Sequence, residues 1–236
     1  MKPDKKQSIS ELSKTISKER GRTNLFKEIE QRTIAFLVQR IPSWINSDML
    51  TAIGFLGSII ILLSFVLAAR VNETYLLIGV LGFMVSWFGD SLDGRLAYYR
   101  KIPRKWYGFT LDLTVDWLGI ILMGLGFMIY ANEAWKIVGF GFVVLYGWEI
   151  ITALIRYKVT DKYAIDSGKL GPTEARIIIS LILIFEVIFK GSILYSSVIA
   201  CVVLFIVNII DTMKILKLAD ARDTEEKETK INEENV

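Results

Sequence analysis

The 236-residue chain has no histidine and a single cysteine, Cys201, which sits in an apolar run. The first absence removes the side chain that most often carries protons near neutral pH. A general base therefore has to be a carboxylate or another non-histidine group. The same absence leaves oxygen as the main donor for any metal. One cysteine builds neither a disulfide framework nor a cysteine-rich zinc site, and in its apolar setting it reads as a small core residue. No internal repeat is visible, and the first 20 residues hold no apolar core of the kind a cleavable signal needs. Acids and bases are mixed in both tails, which reads as solubility rather than as a nucleic-acid site.

What the chain has in excess is apolar sequence: 53% of residues are hydrophobic, and the mean hydropathy is +0.43. Apolar blocks of about 20 residues recur, the length a helix needs to cross ~30 Å of hydrocarbon. Six are expected, over 52–69, 75–97, 109–131, 135–156, 174–190 and 193–215. Backbone groups in lipid must be satisfied within their own element, and these blocks are too long and continuous for barrel strands. The expected fold class is all-α, an integral membrane bundle of six transmembrane helices with an N-terminal amphipathic interfacial helix.

That interfacial helix is read from Leu25, Ile29, Phe36, Leu37 and Ile41, which alternate with charged residues at near-helical spacing. A helix packed on the protein itself is the alternative, and Pro42 should end it. The expected divisions are a disordered cytoplasmic tail over 1–23, the interfacial helix and linker over 24–46, the six-helix domain over 47–218 and a charged cytoplasmic tail over 219–236. Lys and Arg crowd the N-terminal tail, the 98–107 loop, the 156–173 loop and the stretch after 213. The connections 70–74, 132–134 and 190–192 carry only Arg70 and Lys190. The positive-inside rule then puts both termini on the cytoplasmic side.

Four aspartates stand out against this background: Asp90 and Asp93, then Asp112 and Asp116. Spacings of three and four bring each pair to one side of a helix. The topology places all four near the cytoplasmic ends of the second and third spans. Carboxylates at such depth are expensive and usually functional. Four close together cannot all stay ionised unless cations share the site. The simplest reading is an oxygen-ligand metal centre at the edge of a membrane, opening to the cytoplasm. The short basic loop between the pairs predicts antiparallel neighbouring helices. Gly89, Gly94 and Gly108 offer no side chain to block a ligand or a helix.

Asp90-x2-Asp93-Gly94-x2-Ala97, followed by Gly108-x3-Asp112-x3-Asp116, closely resembles the signature of the CDP-alcohol phosphotransferases. That signature reads Asp-x2-Asp-Gly-x2-Ala-Arg-x8-Gly-x3-Asp-x3-Asp. Two departures mark a divergent subfamily. Tyr98 takes the place of the arginine that in the family helps hold the donor, and the gap to Gly108 is one residue longer. Arg95, Arg100 and Arg104 are the candidate substitutes. Ser47-Asp48-Met49-Leu50-Thr51 resembles the family's Pro-Asn-x-Leu-Thr entry to the first span, with Asp48 replacing the asparagine.

The resemblance implies a membrane enzyme that passes a phospho-alcohol or phosphatidyl group from a CDP-linked donor to an acceptor hydroxyl and releases CMP. At least one substrate is a lipid. It implies a pair of Mg²⁺ or Mn²⁺ ions, with Asp90, Asp93 and Asp112 as core ligands. Asp116 would be the general base, also touching the second ion. Asp48, Thr51, Gly94, Ala97, Arg100, Arg104 and Gly108 fall to the donor, and Arg156, Lys169 and Arg176 to the acceptor. A homodimer is also implied, and Gly124 and Gly126 could allow close helix approach.

Plainer readings stand beside these. Pro172-Thr173-Glu174 is also a simple helix start. Arg156 can equally be a positive-inside anchor. Glu149 and Asp211 are expected to be structurally paired or at an interface, and the six tryptophans to be interface anchors or core. The alternative function is a divalent-cation transporter. It fits less well, because the acids lie near one face, no repeat is seen and a basic loop adjoins them. A catalytically idle scaffold is disfavoured by the four acids.

Overall fold

The computed structural model describes residues 27–160 and 171–234. The readings of the 1–23 tail and of Lys169 fall outside those residues. Among the described residues the chain is helical throughout, with no strand. The helices are α1 (Lys27–Val38), α2 (Ser47–Arg70), α3 (Leu76–Tyr99), α4 (Lys105–Tyr130), α5 (Lys136–Thr160), α6 (Pro172–Ile188) and α7 (Ser192–Glu234). Short 3₁₀ turns precede α3 and α5.

Five of these helices, α2, α3, α4, α5 and α7, are long and apolar enough to cross a membrane. The remaining expected span falls on α6, which has 17 residues. At 1.5 Å per residue that is about 26 Å, slightly short of the ~30 Å hydrocarbon layer.

Helix α2 is the centre of the bundle: α3 and α4 both pack along it. The two acid-bearing helices therefore flank α2 instead of packing closely on each other, which corrects the expectation of simple antiparallel neighbours. Glycine makes the α2–α3 contact possible. A Cβ built on Gly57 would lie 2.4 Å from the Ser86 backbone nitrogen, and one on Gly89 would lie 2.2 Å from the Gly54 backbone nitrogen. Gly89 thus serves helix packing, and no ligand could reach it there. Gly124 and Gly126 are likewise used within the chain, the first against Val143 of α5 and the second against the Phe65 ring of α2.

Helix α1 ends at Val38, four residues before Pro42. Its Ile34 and Val38 are buried with Leu50, Leu92 and Leu96, so this face packs on the protein. Ile29 and Phe36 on its outer side are exposed. Helix α7 runs on through the stretch expected to be a solvated tail. No Gly or Pro interrupts 219–234, and Arg222 pairs with Glu226 one turn on at 3.0 Å. The same arginine donates to the carbonyls of Lys158 at 3.0 Å and Val159 at 2.7 Å, which satisfies the end of α5.

At the end of the bundle away from the acids, Glu186 of α6 is buried and organises the turn into α7. Its carboxylate accepts from Tyr130 Oη (2.7 Å), Gly191 N–H (2.9 Å), Ile193 N–H (2.8 Å) and Ser192 Oγ (3.2 Å). Glu186→Ala would orphan one buried and one part-buried amide, a phenol and a serine hydroxyl. The expected cost is ~3 kcal/mol, given ~1.5–3 kcal/mol for hydrogen bonds to a charged group and the penalty for unsatisfied donors. Thermal denaturation in detergent checks this; an unchanged midpoint would refute the latch.

Candidate active site

Asp90 and Asp93 lie in the last turns of α3, Asp112 and Asp116 in the first turns of α4. The structure brings three of the four together. One carboxylate oxygen each from Asp90, Asp112 and Asp116 lie within 4.8 Å of one another, with Asp116 the most exposed of the three. Asp93 stands apart from this trio. It is buried, and its Oδ2 accepts a hydrogen bond from Thr51 Oγ1 at 2.7 Å. Its backbone carbonyl accepts from Ser47 Oγ at 2.8 Å. Helical geometry explains the split. At about 100° per residue, a spacing of four returns a side chain to within ~40° of its start, and a spacing of three leaves it ~60° away on the other side. Asp112 and Asp116 stay aligned, while Asp93 turns toward α2.

Charge balance at the trio is supplied partly by protein. Arg176 of α6 meets Asp90 at 2.6 Å, both side chains being largely covered. The start of α6 sets that contact. Pro172 opens the helix, and the Glu174 carboxylate accepts from the Gly171 N–H at 3.1 Å. The helix-start reading of Pro172–Glu174 therefore accounts for those residues, and it delivers Arg176 to the acids one turn later. Tyr146 of α5 lies near the same charges, within the electrostatic reach of Asp116, Arg176 and Asp90. Helix α5 comes close to α4 here because the Trp117 ring fills the space beside Gly147, 2.8 Å from where a Cβ would sit. Nothing in the sequence singles out Tyr146, an aromatic inside an apolar run.

Among the described residues Arg176 is the cation shown in contact with the trio. Oxygen-only donors at this spacing fit a hard divalent cation. The trio is thus suited to hold such an ion, with Asp93 and Thr51 fixing the wall beside it.

The residues expected to meet the donor fall into two groups. Some are already engaged by protein. Thr51 is hydrogen-bonded to Asp93, and Arg100 donates to the carbonyls of Ile45 and of Pro42, the latter at 2.8 Å. Others line the open side. Arg104 pairs with Asp48 and lies 4.2 Å over the Tyr107 ring, both partners of the ion pair being about half exposed. Gly108 has open space where a side chain would be. Gly94 donates its N–H to the Asp93 carboxylate, and Ala97 is half-buried one turn further along α3. Arg95 is buried, its guanidinium 3.5 Å from the Ser91 carbonyl. On the acceptor side, Arg156 is directed to Asp211 of α7 at 2.9 Å, and Lys214 meets the same carboxylate at 3.1 Å. Asp211 is structurally paired, as expected, and Arg156 is its partner.

A family model described as CDP-alcohol phosphatidyltransferase matches residues 44–210, from just before α2 to well into α7. No curated protein matches the chain.

Proposed function

The chain belongs to the CDP-alcohol phosphatidyltransferase family, and from that membership we propose that it transfers a phospho-alcohol or phosphatidyl group from a CDP-linked donor to an acceptor hydroxyl with release of CMP. The family's transferase role in lipid synthesis and five long apolar helices make it an integral membrane enzyme. The observation that carries the finer reading is the convergence of Asp90, Asp112 and Asp116 inside the matched region.

In this reading the acceptor oxygen forms a bond to the donor's distal phosphorus. The bond from that phosphorus to the oxygen kept by CMP breaks, and the acceptor's proton passes to the Asp116 carboxylate. A pair of Mg²⁺ or Mn²⁺ ions held by Asp90, Asp112 and Asp116, with Asp93 adjoining, would supply neutralisation of charge on the diphosphate and on CMP as it leaves. Arg104 is the residue we assign to the role left open by Tyr98. Arg95 is buried and Arg100 is committed to two carbonyls, whereas Arg104 lies on the open side with Asp48. Gly108 leaves room for the donor between Arg104 and the acids. Arg176, already at the acids, is the cation we assign to the acceptor. The Lys/Arg bias supports a cytoplasmic site and cytoplasmic termini. A homodimer belongs to the same reading, formed through surfaces other than Gly124 and Gly126.

The test is to incubate purified protein with CDP-diacylglycerol, CDP-choline and related donors, each against glycerol phosphate, inositol phosphate, serine and diacylglycerol. Lipid products are identified by mass spectrometry. CMP release should stop with a chelator and return with Mg²⁺ or Mn²⁺. Full CMP release in metal-free buffer would remove the carboxylates from their assigned role.

A further inference from the structure

We propose that the turn between α3 and α4, together with Trp44, is a preformed seat for an anionic phospholipid surface. Lys101 and Lys105 meet headgroup phosphates there, and Ile102, Trp106 and Trp44 enter the acyl boundary. The turn joins the ends of two membrane-crossing helices, so it lies at the bilayer edge. Its composition is one-sided: residues 98–107 contain four Lys or Arg and no acid. Two of the four are directed elsewhere, Arg100 to the carbonyls of Pro42 and Ile45 and Arg104 to Asp48 on the donor side. Among the described residues Lys101 and Lys105 have no ion-pair partner. Beside them Ile102 is 66% exposed, Trp106 65% and Trp44 70%. Cations on long apolar stems next to tryptophan are the combination that anchors at a headgroup layer.

Two features indicate that the seat is built, not incidental. The contacts of Arg100 and Arg104 tie the turn to the segment 42–48, which fixes Trp44 alongside it. The second is the backbone at Lys101. The Ile102 N–H donates to the Ala97 carbonyl and the Lys101 N–H to that of Tyr98, each at 3.0 Å, with Lys101 at φ 59°. This is the helix-ending arrangement whose left-handed residue is least costly as glycine. A lysine is held there instead, and strain kept at such a position points to a use for the side chain. Lys105, its ammonium 5.5 Å over the Trp106 ring, places a second cation and an aromatic ring on the first turn of α4.

The experiment uses the full chain with Cys201→Ser and a nitroxide on Ile102→Cys, in nanodiscs of phosphatidylcholine alone or mixed equally with phosphatidylglycerol. Collisional accessibility to oxygen and to a nickel chelate reports whether the turn is seated. Anionic discs should raise the seated-to-free ratio roughly thirtyfold, about 2 kcal/mol at about 1 kcal/mol per lysine near an anionic surface. High salt should reduce the effect, and Lys101→Gln with Lys105→Gln should abolish it. Lys101→Gly relieves the backbone, so it should keep or raise thermal stability while losing roughly half of the response, which separates lipid contact from damaged folding. Equal seating in both discs would overturn the anionic assignment. A label open to the nickel chelate in both would overturn the lipid seat itself. The readout does not require turnover, so it stands or falls separately from the proposed reaction.

Discussion

Asp116→Asn should lower turnover by ~10²-fold or more, the range set by a positioned general base, while donor binding survives. Asp116 is the most exposed of the three clustered acids and lies one helical turn beyond Asp112. That puts it where an acceptor hydroxyl can arrive. The chain has no histidine to take its place. Asparagine preserves the shape and removes the basic oxygen. Asp90 and Asp112 stay in place to hold at least one cation, so affinity for a CDP-linked donor at fixed Mg²⁺ should change little. Asp93→Asn should behave differently. Its carboxylate accepts from Thr51 Oγ1 and from the Gly94 N–H; an amide there keeps one acceptor oxygen for those two donors and loses the charge, which weakens the wall of the site. Both metal and donor binding should weaken. Measuring donor affinity beside turnover for both variants decides the matter. Near-normal turnover in Asp116→Asn would remove it as the base. Lost donor affinity would make it chiefly a metal ligand.

The all-α membrane character was legible because long apolar runs leave few alternatives. The acids were legible because a carboxylate in such a run is rare. What the sequence concealed was lateral arrangement. A five-residue connection fixes that α3 and α4 are close at one end, but not that each packs along α2 rather than closely on the other. That placement depends on glycines 54, 57, 82 and 89, of which the sequence reading singles out only Gly89, and without a partner. The same applies to Gly124 and Gly126, whose partners Val143 and Phe65 are far away in the chain.

Side-chain partnerships stay hidden in the sequence where the partner is remote. Arg156 carries the right charge for a substrate, yet Asp211 claims it from 55 positions away. Thr51 and Asp93 look like independent ligands in the motif, and are bonded to each other across 42. Tyr146 carries no signal of its own, and Glu186, an acid in an apolar run, shows nothing of the turn it organises, since each takes its meaning from groups elsewhere in the fold. The charge of 219–236 reads as a solvated tail, and the helical end of α7 runs through 219–234. Solvation and helix are compatible where nothing breaks the backbone ladder.

The glycine seam connects that hidden arrangement to function, and Gly89→Ala should expose the link. A Cβ at Gly89 would meet backbone atoms: Gly54 N at 2.2 Å, Leu50 O at 2.4 Å and Gly54 Cα at 2.5 Å. No side-chain rotation can relieve that, so α2 and α3 must move apart. Overpacking of this kind costs about 3 kcal/mol. The displacement also shifts Asp90, the next residue, and strains the Thr51–Asp93 hydrogen bond that ties the two helices. A misplacement of ~1 Å at a catalytic group can cost ~10²-fold in rate. Residual activity in the folded fraction should therefore fall well beyond the loss of folded protein. Gly141→Ala is the matched control. It lies in α5 with nothing within 4 Å of its Cβ, and alanine favours the helix by up to about 1 kcal/mol. Thermal denaturation in detergent, read together with CMP release per folded molecule, separates the two. If Gly89→Ala matched Gly141→Ala in both, the close crossing of α2 and α3 would not be what positions the acids.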